Sequence, residues 1–153
     1  MSGSVIKPPT IKQIIAGLLA ILMMFSTMIK EGKFGKVEFV LLTENVTTES
    51  EEIVLEVRNY TLKYVDYNDD FLLEKLNGET WERVPVPGGF YAYAGSLRGL
   101  TITKDTINFE RYFNKKLDAG DYRLTKEIGR KDYVVSFTVV EASSVSESTT
   151  QPA

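Results

Sequence analysis

Asp66, Asn68 and Asp70 are spaced as the first three side-chain ligands of a calcium loop, and their oxygens suit a hard cation. The rest of that pattern is missing. A helix-flanked calcium loop needs glycine directly after Asp70 and glutamate six residues beyond it, where this chain has Phe71 and Asn77. Asp69 could join only a non-standard site, so an acidic, solvated turn is the expected form of the segment. Glu74, Glu79, Glu82 and Glu110 fall on expected strands and would be the carboxylates of any glycosidase-type chemistry, yet alternating charges are also what a solvated sheet face carries. Ser96 as a nucleophile would need a base. Histidine is absent, and the Ser-x-x-Lys alternative fails because Gly99 holds the fourth position.

The chain has no cysteine either, which removes thiol nucleophiles, disulfide staples and zinc sites of the usual ligand sets together with imidazole bases. No catalytic residue, metal or cofactor is therefore expected, and recognition by contact is what remains. Phe90 to Tyr93 (FYAY) follows a Pro/Gly loop; on a strand Tyr91 and Tyr93 would share a face opposite Phe90 and Ala92. Turned outward, the two tyrosines would form a stacking platform for sugar or peptide, although core packing is the simpler use of such rings. Trp81, the single tryptophan, is expected as a core or edge anchor. Asn45-Val46-Thr47 and Asn59-Tyr60-Thr61 match glycosylation sequons, which matter only in a host that reads them.

The first 33 residues carry four lysines and one glutamate, whereas residues 34–141 carry 14 basic and 19 acidic side chains. The larger part is mildly acidic and has no basic stripe, so nucleic acid is not an expected partner. Its elements read as strands and turns. Lys36 to Val46 is rich in Val, Phe and Leu; Ile53, Leu55 and Val57 alternate as a core face against Val54 and Glu56. Tyr64 to Asp70 reads as a turn. Phe71–Leu76 and Glu79–Val84 flank Asn77-Gly78, a hairpin signal because both residues tolerate the positive φ of a type I′ turn. Pro85 to Gly89 (PVPGG) is a loop. Leu100–Phe113, Tyr122–Ile128 and Tyr133–Glu141 supply the remaining strands, with uncharged Val134–Val140 expected deep in the sheet. The pattern predicts an all-β Greek-key sandwich of about seven strands with no helix between them.

Ahead of this domain, Ile14 to Ile29 (IIAGLLAILMMFSTMI) has neither a charge nor a polar face, which suits a membrane-inserted or buried helix. Counted from Gln13, such a helix is about 25 Å long, slightly short of a roughly 30 Å hydrocarbon core, and Lys12 and Lys30 could close the gap by snorkelling. An uncleaved signal anchor fits best. A cleaved signal peptide is the alternative, weakened by the lack of well-placed small residues around Ser26 and Thr27; a cytosolic core helix is the third option. Lys30, Lys33 and Lys36 nearly balance the basic residues before the segment, so a short N-terminal tail inside is only the default orientation. The expected organisation is a basic segment over 1–13, the membrane segment over 14–29, the sandwich over 34–141 and a flexible Ser/Thr-rich tail over 142–153.

The run FLLEKLNGETWERVP, in which a Glu-Lys strand turns through Asn77-Gly78 to Trp81 and a proline, together with LDAGDYRLTKEI and the closing strand DYVVSFTVV, resembles the bacterial immunoglobulin-like (Ig-like) domains of Gram-positive cell-envelope proteins. The likeness extends over about Val37 to Glu141. Within it, Leu117 to Tyr122 looks like a tyrosine corner, which would make Tyr122 structural. The resemblance implies an envelope-associated binding or spacer module with no catalytic residues to carry over. Its expected partners are a protein or a cell-wall glycan, and its expected place is the outer face of the membrane or, after cleavage, the medium. There the Pro85–Gly89 loop or an edge strand would engage a partner enzyme as an inhibitor or accessory. A small carboxylate-based hydrolase is the remaining alternative.

Overall fold

The structure, a computed structural model, describes residues 8–90 and 94–142. Tyr91 and Tyr93, and the tail beyond Ala142, lie outside the described residues, as does most of the basic segment before Pro8. The chain divides into two compact units between Lys36 and Val37.

The first unit is built on helix α1, Ile11–Lys30. Its start lies three residues before the expected one because Thr10 and Gln13 form a capping box: the Gln13 amide donates to Thr10 Oγ1 at 3.3 Å, and Thr10 N donates to Gln13 Oε1 at 2.8 Å. Twenty residues give about 30 Å of helix, within which the uncharged run is still Ile14–Ile29, with Lys12 and Gln13 before it and Lys30 after it. Thr-x-x-Gln before an apolar run is readable in the sequence, and the expectation of a start at Ile14 overlooked it. Lys30 in the last turn and Gly32 at φ 65° close the helix.

The second unit is the expected sandwich. One sheet holds β1 (Val37–Leu41), β3 (Glu52–Asn59) and β8 (Thr101–Asn108), all antiparallel. The other runs β2 (Val46–Thr47), β10 (Lys131–Val140), β9 (Gly120–Ile128), β4 (Val65–Asn68) and β7 (Ala94–Leu97); β5 (Leu72–Asn77) also pairs with β9, and β6 (Thr80–Arg83) pairs with β5. The expected strand over Lys36–Val46 is in fact two. β1 pairs antiparallel with β3, the chain crosses over at Leu42–Asn45, and β2 pairs parallel with β10 in the opposite sheet through Val46↔Val139. This sheet switch, together with β4 and the short β7, raises the count of strands from about seven to ten among the described residues.

Three further expectations are corrected. Val65–Asn68 is a strand and not a turn: Val65 and Tyr67 face inward while Asp66 and Asn68 are exposed, an alternation masked by their turn-like composition. The strand expected over Leu100–Phe113 ends at Asn108, whose side chain accepts the Arg111 amide at 2.9 Å and caps helix α2 (Phe109–Phe113). Phe109, Tyr112 and Phe113, at i, i+3 and i+4, are buried on one helical face, which is the periodicity the strand expectation passed over. Val134–Val140 does not lie deep on both faces: Phe137 and Val139 are buried, but Val134 is 55% and Val140 37% exposed.

The hairpin at Asn77-Gly78 forms with a different turn. Asn77 pairs with Thr80, so the central residues are Gly78 and Glu79, and of these only Gly78 has positive φ (62°), the pattern of a type II′ turn. The type I′ geometry is found instead between β9 and β10, where Gly129 and Arg130 have φ 58° and 66°.

The core fills the space between the sheets. Ile53, Leu55 and Val57 are all fully buried, as their alternation requires; Ile53 and Leu55 join Phe109, Tyr122, Leu124 and Phe137 in the larger cluster, and Val57 joins Tyr67, Leu97 and Ile128 in a smaller one.

Candidate functional site

Where β5 and β6 meet the start of β9, a cleft of about 420 Å³ opens, lined by Lys75, Arg83, Pro85, Pro87, Phe113 and Tyr122 among others. Sequence shapes each wall. Pro85 and Pro87 end the β5–β6 ladder after the Val84 amide makes its last bond to the Leu73 carbonyl at 2.8 Å. Gly88 lets that loop pass α2 closely, since a Cβ there would stand 3.1 Å from the Arg111 carbonyl. Opposite, Asn114 at φ 56° terminates α2 and sends the chain to Leu117 and Asp118.

The floor is apolar: Phe113, Leu117 and Tyr122 are buried. Tyr122 stacks on Phe137 at 5.5 Å and donates its hydroxyl to the Asp118 carbonyl at 2.8 Å, four residues upstream, which is the geometry of a tyrosine corner. Burial, with the Asp118 charge, pushes its phenol up to about 12. Tyr122→Phe is expected to cost about 1 kcal/mol through the one lost bond, read as a lower urea midpoint at unchanged m.

Charges ring the mouth. Lys115 pairs with Asp118 at 3.1 Å, and Glu82 accepts from Asn77 Nδ2 at 3.2 Å. The half-buried Lys75 is opposite Tyr122 in register and holds its ammonium 5.5 Å from the ring centroid. Among the described residues neither Lys75 nor Arg83 forms an ion pair.

On the outer face of the same sheet, Glu74 receives both Arg123 Nε (2.6 Å) and Nη2 (3.0 Å), and the guanidinium lies 4.6 Å over the half-buried Trp81 ring. Trp81 thereby braces an edge hairpin. The Arg123 hydrogen bond holds the Glu74 carboxyl below the usual range. A depressed carboxylate stabilises the fold above its unfolded pKa and loses that contribution as pH falls through its folded one. Glu74→Gln is accordingly expected to flatten the decline of stability below about pH 4, measured by denaturant midpoints across the acid range.

The residues singled out for chemistry do not converge. Glu74, committed to Arg123, is on the opposite hairpin face from Glu82; Glu79 sits in the turn; Glu110 is exposed on α2 and not on a strand. Asp66 and Asn68 are two positions apart on the exposed side of β4, with no loop to gather them, and no group of acidic residues among the described ones is arranged to hold a metal ion. Ser96 is exposed on β7. Of the sequons, Asn45 is exposed whereas Asn59 is fully buried with its amide in use. Sequence reasoning passed over Lys75, whose signal was a lysine alternating into the cleft side of β5, and Lys126, which sits in the inward register of Tyr122, Leu124 and Ile128.

A two-sheet Greek-key sandwich whose first strand changes sheet, with a tyrosine corner at the start of β9, defines an Ig-like domain. The chain belongs to the bacterial Ig-like domain family, whose profile matches residues 34–144. No curated protein matches it. Among solved structures it is similar to the ASH / PapD-like domain of human CEP192 (19% identity, covering 70% of this chain and 87% of that one, TM-score 0.35). It is also similar to the sporulation control protein Spo0M of Bacillus subtilis (15% identity, covering 70% of this chain and about half, 49%, of that one, TM-score 0.34). At these TM-scores the two likenesses carry no argument about function.

Proposed function

We propose that this chain is a membrane-tethered, outward-facing Ig-like module of a bacterial envelope that acts by contact and not by chemistry. The observation that carries the tether is α1: a capped helix of 20 residues without an acidic side chain, long and apolar enough to cross a membrane, immediately ahead of the Ig-like domain. The non-catalytic part of the reading is supported by the family and by a chain without histidine or cysteine, in which Glu74 is committed to Arg123. The cleft beside Pro85 and Pro87 is the proposed contact surface, its volume falling in the range of roughly 300–1,000 Å³ that ligand sites occupy.

The absence of cysteine makes topology directly measurable. Thr80, exposed in the β5–β6 hairpin, is replaced by cysteine in the full-length chain and intact bacteria are treated with a membrane-impermeant maleimide. Labelling of Thr80→Cys on intact cells is the expected result; labelling only after lysis would overturn the outward orientation.

A further inference from the structure

We propose that the open edge of β10 takes an extended segment of a partner protein as an added strand, one that carries a lysine or arginine where it passes Glu44. This adds a second contact surface to the cleft, and it rests on the reading that the module acts by contact. β10 is ten residues long, but β2 covers only Val139 and Val140. From Asp132 to Thr138 that edge has no strand beside it among the described residues. The two-residue turn between β9 and β10 makes Ile128 and Lys131 a hydrogen-bonded pair, so Tyr133, Val135 and Phe137 also bond to β9. The N–H and C=O groups of Asp132, Val134, Ser136 and Thr138 therefore point to the open edge. Val140 is next in that series, and its carbonyl already accepts the Thr48 amide at 2.9 Å. The strand reaches Val139 without a bulge, and Val134–Thr138 holds neither charge nor proline. The edge strands of the other sheet carry Glu38 and Lys104, charges that discourage pairing; this stretch of β10 has no such guard.

A groove of about 360 Å³ adjoins the open edge, between Leu41, Glu44 and Asn45 on one side and Ser136, Phe137 and Thr138 on the other. Side chains of an added strand alternate, so one beside Phe137 can enter the groove while its neighbours stay on the outer face. Glu44 is the single charged side chain lining the groove, exposed and without an ion pair among the described residues. Asp121, opposite Thr138 in β9, accepts the Thr138 hydroxyl at 2.6 Å and adds a second carboxylate. Arg123, opposite Ser136, is turned toward β5 by its two bonds to Glu74. The Thr138 end of the edge is thus acidic, and a cation on the incoming strand complements it. A second copy of the chain does not. Two β10 edges paired antiparallel over Asp132–Thr138 place Asp132 of each opposite Thr138 of the other, beside the same carboxylates.

The test applies the full-length chain, in detergent micelles at low salt, to an array of acetylated heptapeptides of alternating threonine and valine, with lysine, glutamine or glutamate at each position in turn. Retention is expected on lysine peptides, roughly tenfold weaker on their glutamine counterparts, and absent when one alternate set of amides is N-methylated. With a retained peptide in solution, amide exchange at Val134, Ser136 and Thr138 is expected to slow at least tenfold. Glu44→Lys, at an exposed position, is expected to keep the wild-type Tm and move retention to the glutamate peptides. Val134→Pro removes an edge donor that β9 does not use and is expected to abolish retention. A blank array, retention indifferent to N-methylation of either set, or a lysine preference unchanged in Glu44→Lys would each overturn the proposal. Slow exchange at the same three amides without peptide, lost on dilution of the chain, would overturn it in favour of a second copy. None of these outcomes alters the surface labelling of Thr80→Cys, so failure of the added-strand assignment is distinguishable from failure of the tethered-module reading.

Discussion

Asn59→Ala is expected to lower the stability of the domain by about 3 kcal/mol or more, the cost of orphaning several backbone groups at once. Asn59 is fully buried at the end of β3, and every polar atom of its amide is in use. Nδ2 donates to the carbonyls of Lys63 (2.9 Å), Leu97 (3.1 Å) and Arg98 (3.1 Å), while Oδ1 accepts from the Thr61 amide (3.1 Å) and hydroxyl (2.7 Å). The side chain thus ties the β3–β4 connection to the turn between β7 and β8. Gly99 lies in that turn, where a Cβ would stand 2.7 Å from the Thr61 oxygen and 2.7 Å from the Leu62 carbonyl carbon, both of them backbone atoms that cannot swing aside. For a domain of this size each kcal/mol moves Tm by roughly 4–8 °C, so Asn59→Ala should melt at least about 12 °C lower. A shift of only a degree or two would show that the connection is held by other contacts. The same burial explains why the Asn59 sequon is closed to modification in the folded domain.

Lys126→Ala is expected to destabilise by about 3 kcal/mol, at the lower end for a broken buried pair because Asp105 retains some solvent contact. Lys126, 1% exposed, extends from β9 between the sheets to Asp105 on β8 at 3.2 Å, with its ammonium 4.4 Å from the Tyr67 ring centroid. The Tyr67 hydroxyl donates to the same Asp105 oxygen. These three residues join the two sheets through charge in a chain that has no disulfide to do so. Removing one partner strands the others, whereas removing the polar set leaves an apolar gap that Met and Leu can fill. The triple change Lys126→Met, Asp105→Leu and Tyr67→Phe should therefore recover most of the loss, and a triple variant as unstable as Lys126→Ala would contradict this account. Burial first, and then the Asp105 hydrogen bond, push the Tyr67 phenol well above its usual range. Its proton is then retained in the folded state when the unfolded chain has lost it, so stability should fall as pH rises past about 10.

The fold was legible where composition and periodicity agree. Ile53, Leu55 and Val57 announced a core strand, LDAGDYRL announced the tyrosine corner, and the apolar run before Lys30 announced α1. It was illegible where two signals compete. Val65-Asp66-Tyr67-Asn68 alternates like a strand but is composed like a turn, and tertiary pairing with β7 decides in favour of the strand. Phe109-Glu110-Arg111-Tyr112-Phe113 continues a β-rich run, and only the Asn108 cap and the three-and-four spacing mark its helix. The sheet switch between β1 and β2 leaves almost no trace, because a crossover of four residues carries no composition of its own.

The candidate site was legible only in part. The Pro85–Gly89 loop, Trp81 and Tyr122 were marked by residue type. Lys75 was not, since a lysine on a strand ordinarily faces water and its position over Tyr122 follows from register and from the space left by Gly120. Lys126 was hidden for the same reason, as a charged residue in an inward register that makes sense only once Asp105 and Tyr67 are seen across the sandwich.

The most direct test of a membrane-tethered, outward-facing module is to express the full-length chain in a Gram-positive host, separate membrane, cytoplasm and medium, and measure its intact mass with and without protease added to whole cells. The account predicts the uncleaved chain in the membrane fraction, shortened to its α1-containing end by external protease. A species in the medium beginning between Thr27 and Lys33 would contradict the tether and establish a released factor, and an intact, protease-resistant chain in the cytoplasm would contradict export altogether.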